Sequence, residues 1–280
     1  MRKTFFLVAA CAISMLASAQ IFEVTSVQEL PNASFFDARV AAVSPKGDYI
    51  LMTTQSSQGL QRYDLATGEI TPLTKATGAG YNVQVSKDGA QVVYQEAALN
   101  AEHEMLSTII RHNMTNNKRT VVAKDQPTLT KMAMVDKNAP VLTNEEGLLY
   151  LTQNGRKQLI APIGVDYIYI WQSLSPDQTK ICYYVGERGC FVCDLDGSNN
   201  KFIGFHCTAA QWYDNNTLIR MRTEDDGYDF TSSVLEAYTL DGKRQTLTDK
   251  SMLATFPYAV DGKIVFTTWD KGTAYMMSVK

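Results

Sequence analysis

Apolar residues along this chain come in short alternating runs, and the runs are separated by polar clusters rich in Asp, Asn, Gly and Ser. Alternation of this kind predicts half-buried strands, with turns where the clusters fall. One phrase recurs. Ser44-Pro45-Lys46-Gly47 precedes a strand from Tyr49 to Thr53, and a later strand closes with Tyr63-Asp64-Leu65-Ala66-Thr67-Gly68 before Ile70 to Leu73. Ser86-Lys87-Asp88-Gly89 opens the next copy 42 residues on. Weaker openings follow at Asp136-Lys137-Asn138, Ser175-Pro176-Asp177, Asp214-Asn215-Asn216 and Asp261-Gly262. The third-strand endings keep step, at His112 to Asn117, Tyr150 to Gly155, Cys193 to Gly197 and Tyr238 to Gly242.

Six copies at a spacing of roughly 40 residues, with four short strands in each, predict an all-β fold: a six-bladed β-propeller of four-stranded antiparallel blades. A β-sandwich also spaces its strands regularly, but it does not call for one turn phrase in the same place six times. The sixth copy supplies strands near Thr255 to Val260, Lys263 to Thr268 and Ala274 to Val279, without a fourth. Ile21 to Thr25 is expected to provide it and so close the ring, because an unpaired outer edge is an aggregation liability.

The first residues read differently. Arg2 and Lys3 precede an apolar run from Phe5 to Leu16 and then Ala17-Ser18-Ala19. This is the pattern of a cleavable signal peptide, cut between Ala19 and Gln20, and it is too short to span a membrane. A lipoprotein processing site at Cys11 would leave only a short apolar run before the cysteine. Residues 20–280 are then expected to form a single propeller domain, periplasmic or secreted, with no transmembrane segment. Net charge is −3 and the basic residues are scattered, which argues against nucleic acid as a partner. A monomer is expected.

Ser-Pro-Lys-Gly and Ser-Pro-Asp-Gln before a strand, with Tyr63-Asp64-Leu65 and Gly68 before Leu73-Thr74, resemble TolB-type and related WD-repeat-like bacterial propellers. The resemblance covers nearly the whole mature chain at the level of fold. Its motifs set turns through Gly and Asp chemistry and carry no catalytic residues over. The chain leaves no room for the amino-terminal α/β domain that TolB places before its propeller, so TolB's partner, a peptidoglycan-associated lipoprotein, is not carried over either.

Chemistry-bearing residues are few. Cys190 and Cys193 form a Cys-x-x-Cys near Cys182, Cys207 and His206, which raises a zinc site. A hairpin about Gly186-Glu187-Arg188-Gly189 argues against it. Val185 would face Cys190 and Cys182 would face Cys193, and alternation along the strand sends Cys190 and Cys193 to opposite faces. Two states stay open, a Cys182–Cys193 cross-strand disulfide or buried thiols. No metal and no cofactor are expected. His103, His112 and His206 lie on different repeats, and no Gly-x-Ser-x-Gly elbow is present. Catalytic residues are therefore not assigned. Carboxylates are abundant, so a carbohydrate-active enzyme, a lyase or glycosidase on a propeller, stays as the alternative.

The leading reading is an exported, non-catalytic binding or scaffold propeller that engages a protein, peptide or glycan of the cell envelope through its loops. The expected binding rim is the polar segment that follows Arg220 and Arg222, with Glu224, Asp225, Asp226 and Tyr228, joined by His206. A second irregular segment, Glu96 to Thr108, reads as a longer, decorated hairpin loop, with a helical turn covering the channel mouth as the other reading. Trp171, Trp212 and Trp269 read as blade packing. Acids and histidines crowding the channel would favour the enzyme; an aromatic or apolar rim would favour the binder.

Overall fold

The structure is a computed structural model, and it describes residues 20–280 apart from Ser34, Phe36, residues 127–139, His206 and Asp261. The expected signal peptide and the repeat opening at Asp136 lie outside the described residues. Each clear repeat opening is a turn held by its own side chains. Ser175 Oγ donates to Asp177 Oδ1 at 2.6 Å and accepts from Lys180 N at 2.9 Å, and Ser86 pairs with Asp88 and Gln91 in the same way. The fourth turn position, three residues after the serine, is left-handed in all three copies, with φ of 64° at Gly47, 69° at Gly89 and 59° at Gln178. Glycine fits there at no steric cost; Gln178 does not.

Between the turns the chain forms six antiparallel sheets in chain order. Blade 1 holds β2 (Ala38–Val43), β3 (Tyr49–Thr54), β4 (Leu60–Asp64) and β5 (Ile70–Thr74). Blade 2 holds β6 (Gln84–Val85), β7 (Gln91–Leu99), β8 (Met105–Asn113) and β9 (Lys118–Gln126). Blade 3 shows three strands among the described residues, β10 (Val141–Glu145), β11 (Leu148–Gln153) and β12 (Arg156–Ile160). Blade 4 runs through β13 (Tyr169–Leu174), β14 (Lys180–Val185), β15 (Gly189–Asp194) and β16 (Lys201–Gly204). Blade 5 runs through β17 (Cys207–Trp212), β18 (Thr217–Asp225), β19 (Phe230–Thr239) and β20 (Arg244–Thr246). Blade 6 consists of β21 (Ala254–Val260), β22 (Lys263–Thr268), β23 (Ala274–Val279) and, outermost, β1 (Val24–Glu29). The six-bladed propeller expected from the turn phrases is what the structure shows.

The closing strand lies slightly later than the sequence suggested. Val24 to Glu29 pairs with β23, and its own side chains are largely exposed. The buried anchors flank it: Phe22 sits in the cluster shared by blades 5 and 6, and Leu30 in the one shared by blades 6 and 1. Gln245 fixes the entry, its Oε1 accepting from the backbone N–H groups of Ile21 and Phe22 at 2.6 and 2.7 Å.

The core lies between blades and not within them. Ile219, Leu235, Ile264 and Phe266 fill the joint of blades 5 and 6; Leu51, Leu60, Val92 and Tyr94 fill that of blades 1 and 2. Each blade thus depends on its neighbours for burial, as in other repeat architectures.

Candidate functional site

Antiparallel pairing decides which residues share an end of the propeller. Ala38 pairs with Thr54, Cys207 with Arg222 and Ala254 with Thr268. The hairpins between second and third strands therefore lie beside the starts of the innermost strands, on one face, called here the hairpin face. The Ser/Asp turns lie on the other. Most of these hairpins join strands of five or six residues, but β7 and β8 have nine each and β18 and β19 have nine and ten. Three extra residues per strand lengthen a hairpin by ~10 Å. Blades 2 and 5 are three apart in a ring of six, so the two long hairpins stand opposite each other across the channel mouth.

The segment from Glu96 to Thr108 is consequently not a helical turn. Its residues continue β7 and β8 outward to the pair Leu99–Met105, and both of those side chains are exposed. A tight loop closes the tip, where Asn100 Oδ1 accepts from the N–H groups of Glu102 and Glu104 at 3.0 and 2.8 Å. His103 sits in this loop with φ of 63°.

The opposite tip carries the expected rim. Asp226 Oδ1 accepts from Tyr228 N at 3.0 Å and Asp229 N at 2.9 Å, and those bonds hold its carboxyl below the ordinary range. Glu224 accepts from Ser232 Oγ at 3.0 Å and Asp225 from Gly227 N at 3.1 Å. Tyr228 projects from this frame with 94% of its surface exposed. Arg222 is half exposed at the base of the hairpin, 3.7 Å from Glu236.

Arg220 departs from the expected rim. It is 2% exposed, its Nη1 donates to Ile203 O at 2.6 Å, its Nη2 meets Glu236 Oε2 at 3.2 Å, and its guanidinium lies 4.4 Å from the Tyr238 ring centroid. Arg220 points into the joint of blades 4 and 5 and holds them together. His206 lies outside the described residues.

The cysteine hairpin also differs from expectation. Only Gly186 to Arg188 form its loop, because Glu187 turns through the left-handed region with φ of 60° and Val185 pairs with Gly189. Cys182 is therefore opposite Val192, and Ile181 is opposite Cys193. The Cys182–Cys193 disulfide is a correction: these side chains point to opposite faces, Cys182 into the joint of blades 4 and 5 and Cys193 into that of blades 3 and 4. Cys182, Cys190 and Cys193 carry no disulfide, and burial pushes the Cys193 thiol up to about 12. Cys190 and Cys193 do lie on opposite faces. Among the described residues no three His, Cys, Asp or Glu side chains gather as metal ligands.

The sequence missed the mouth of the channel. Three innermost strands, and the turn just before a fourth, pass through the left-handed region at one repeat position, with φ of 50° at Trp171, 48° at Ala209, 49° at Phe256 and 50° at Asn82 before β6. Bulges accompany these kinks in β13, β17 and β21. Such kinks re-aim side chains, and a bulky residue adopts them at a cost of about 1–2 kcal/mol. Trp171 is one result. It is 42% exposed and leans on Tyr184 at 5.2 Å, whereas Trp212 is buried as blade packing with its Nε1 3.3 Å from Ser173 O. Tyr81, Ile168 and Phe205 are exposed at the same face, each just before an innermost strand. Trp269 packs on Phe230 at 4.5 Å and donates to Asp229 at 3.3 Å, bracing the acidic tip.

No protein-family model matches the chain, and no curated protein matches it in sequence. Among solved structures it is similar to an oligogalacturonate lyase in complex with manganese, at 16% identity and a TM-score of 0.54 over 89% of this chain and 76% of that one. An oligogalacturonate lyase from Vibrio parahaemolyticus matches at 11% identity and a TM-score of 0.48, over 87% and 77%. TolB from Acinetobacter baumannii matches at 11% identity and a TM-score of 0.46, over 86% and 63%. At these identities the likeness is one of fold.

Proposed function

We propose that the chain is an exported, monomeric binding propeller that engages a protein, peptide or glycan of the cell envelope across its hairpin face. The observation that carries this reading is the pair of long hairpins on opposite blades, on a face that also bears exposed Tyr81, Trp171, Phe205 and Tyr228. Exposed aromatic side chains supply large contact area at little conformational cost, and a rigid scaffold that presents them on loops suits recognition. The carbohydrate-active alternative calls for carboxylates that converge on a bound sugar. Here Glu224, Asp225 and Asp226 stand on an outer tip, each engaged in a hydrogen bond of its own loop.

Affinity capture from the envelope fraction with residues 20–280 tests this. A triple variant, Trp171→Ala, Phe205→Ala and Tyr228→Ala, is compared with a turn-face variant, Asn116→Ala and Asp196→Ala. Capture of one defined protein or glycan by the wild type and the turn-face variant, lost with the triple variant, is expected. Equal capture by all three, or cleavage of an added envelope glycan into new chain ends, would contradict the reading.

A further inference from the structure

Two partly or fully buried arginines pair with acids, Arg62 with Asp64 at 2.8 Å and Arg220 with Glu236 at 3.2 Å. Arg39 differs from these two. It stands near the start of β2, half-buried at the channel mouth, and no carboxylate comes within 4.0 Å of it among the described residues. Its contacts are neutral. Nη2 donates to Ser57 Oγ at 2.7 Å and to Gly80 O at 3.1 Å, Nη1 reaches Val40 O at 3.5 Å, and the guanidinium lies 5.9 Å from the Phe256 ring centroid. Burial draws its pKa down, opposed by Tyr258, Asp37 and Tyr81 nearby.

The surroundings are built and not incidental. Gly80 N bonds to Ser57 O at 3.2 Å, so the loop bearing Gly80 is tied to the blade 1 hairpin from both sides. A Cβ at Gly80 would come within 2.1 Å of Thr53 Oγ1, so only glycine lets the loop approach this closely. Arg39 and Tyr81 each stand five residues before a turn serine, Ser44 and Ser86, and so occupy one repeat position on adjacent blades. A guanidinium has five donors in a fixed fork that matches a carboxylate, and Asp37 acts on Arg39 only from beyond ion-pair distance, so the fork is left without a direct carboxylate partner.

We propose that Arg39, framed by Tyr81 and Phe256, is a carboxylate-binding subsite at the channel mouth and receives an acidic group of the ligand held by the hairpin face. This rests on the binding reading above and names the chemistry it recognises. Two sources share that chemistry, a peptide carboxyl terminus and an acidic sugar, and the test separates them.

Residues 20–280 with 15N-labelled arginine are titrated with four probes: acetyl-Leu-Ala-Ala, its carboxamide, glucuronate and glucose. The Arg39 side-chain NMR signal is assigned by its absence from Arg39→Lys. We expect one carboxylate probe to shift that signal and its neutral counterpart not to. Arg39→Gln and Tyr81→Ala should each weaken the responding probe by about tenfold or more, the loss of one charge-assisted hydrogen bond or a stacking wall. Circular dichroism confirms folding, and Arg39→Lys supplies a variant that retains the charge. A shift caused equally by acid and neutral probes, no shift by either acid, or undiminished binding by folded Arg39→Gln would overturn the proposal. Any of these alongside partner capture that still depends on Trp171, Phe205 and Tyr228 would leave the binding reading standing and remove only the Arg39 subsite.

Discussion

Single residues set the turns, and acid should undo them. Asp64, Asp88, Asp177, Asp194 and Asp241 all have carboxyls held below their ordinary value of 3.8. In Asp64 the chief cause is a backbone N–H bond, and in the others a bond from a neighbouring side chain. A carboxyl whose folded pKa is depressed adds stability that is complete above its unfolded value and is lost as pH falls through the folded one. Denaturant midpoints should therefore be flat from neutral pH down to about 5 and decline steadily below about 4. A profile that rises on acidification would show that these bonds do not stabilise the fold. Gly80 offers a sharper case. Gly80→Ala should cost about 1–3 kcal/mol by overpacking against Thr53, read as a lower urea midpoint at unchanged slope. For the cysteines, iodoacetamide should label Cys182, Cys190 and Cys193 in denaturant without any reductant. It should leave Cys193 untouched in the native protein, where burial keeps it a thiol.

At the scale of elements, the contribution of closure to stability can be tested by deletion. Phe22 is buried beside Ile219, Leu235 and Phe266, and β1 covers an edge that would otherwise be open. Phe22→Ala should cost about 3–4 kcal/mol, and removal of residues 20–30 should lower the thermal midpoint further and promote association through the exposed β23 edge. An unchanged midpoint would mean that the ring is held by its blade joints alone. Elements also show where sequence reading succeeds and where it stops. Blade count and order were legible because Ser-x-x-Gly and Asp-rich turns recur with a local cause, the Ser175–Asp177 type of hydrogen bond. The register of β14 on β15 was not. A loop of three residues in place of four moved the pairing by one, and a slip of one residue changes which side chains share a face. Glu96 to Thr108 left a helical turn open for another reason: its Ala, Leu and Met content favours helix, but extension of an existing β hairpin overrode local propensity. Arg39 gave little signal, since one arginine in an alternating strand resembles any polar position. Only alignment of the repeats on Ser44 and Ser86 brings it beside Tyr81.

Taken as a whole, the molecule separates stability from recognition. The turn face and the blade joints carry the local hydrogen bonds and the buried apolar side chains, while the hairpin face carries exposed aromatics and two long arms. The arms differ in character, apolar at Leu99 and Met105, acidic and aromatic at Asp225 to Tyr228. A ligand lying across the mouth would meet both. Hydrogen exchange of residues 20–280, alone and with the captured partner, is the most direct test. We expect slowed exchange in three places: the 98–106 arm, the 224–231 arm, and the segments around Tyr81, Trp171 and Phe205. The turns at 44–48 and 175–179 should stay as they were. Protection confined to those turns, or spread evenly over the blades, would contradict a binding site on the hairpin face.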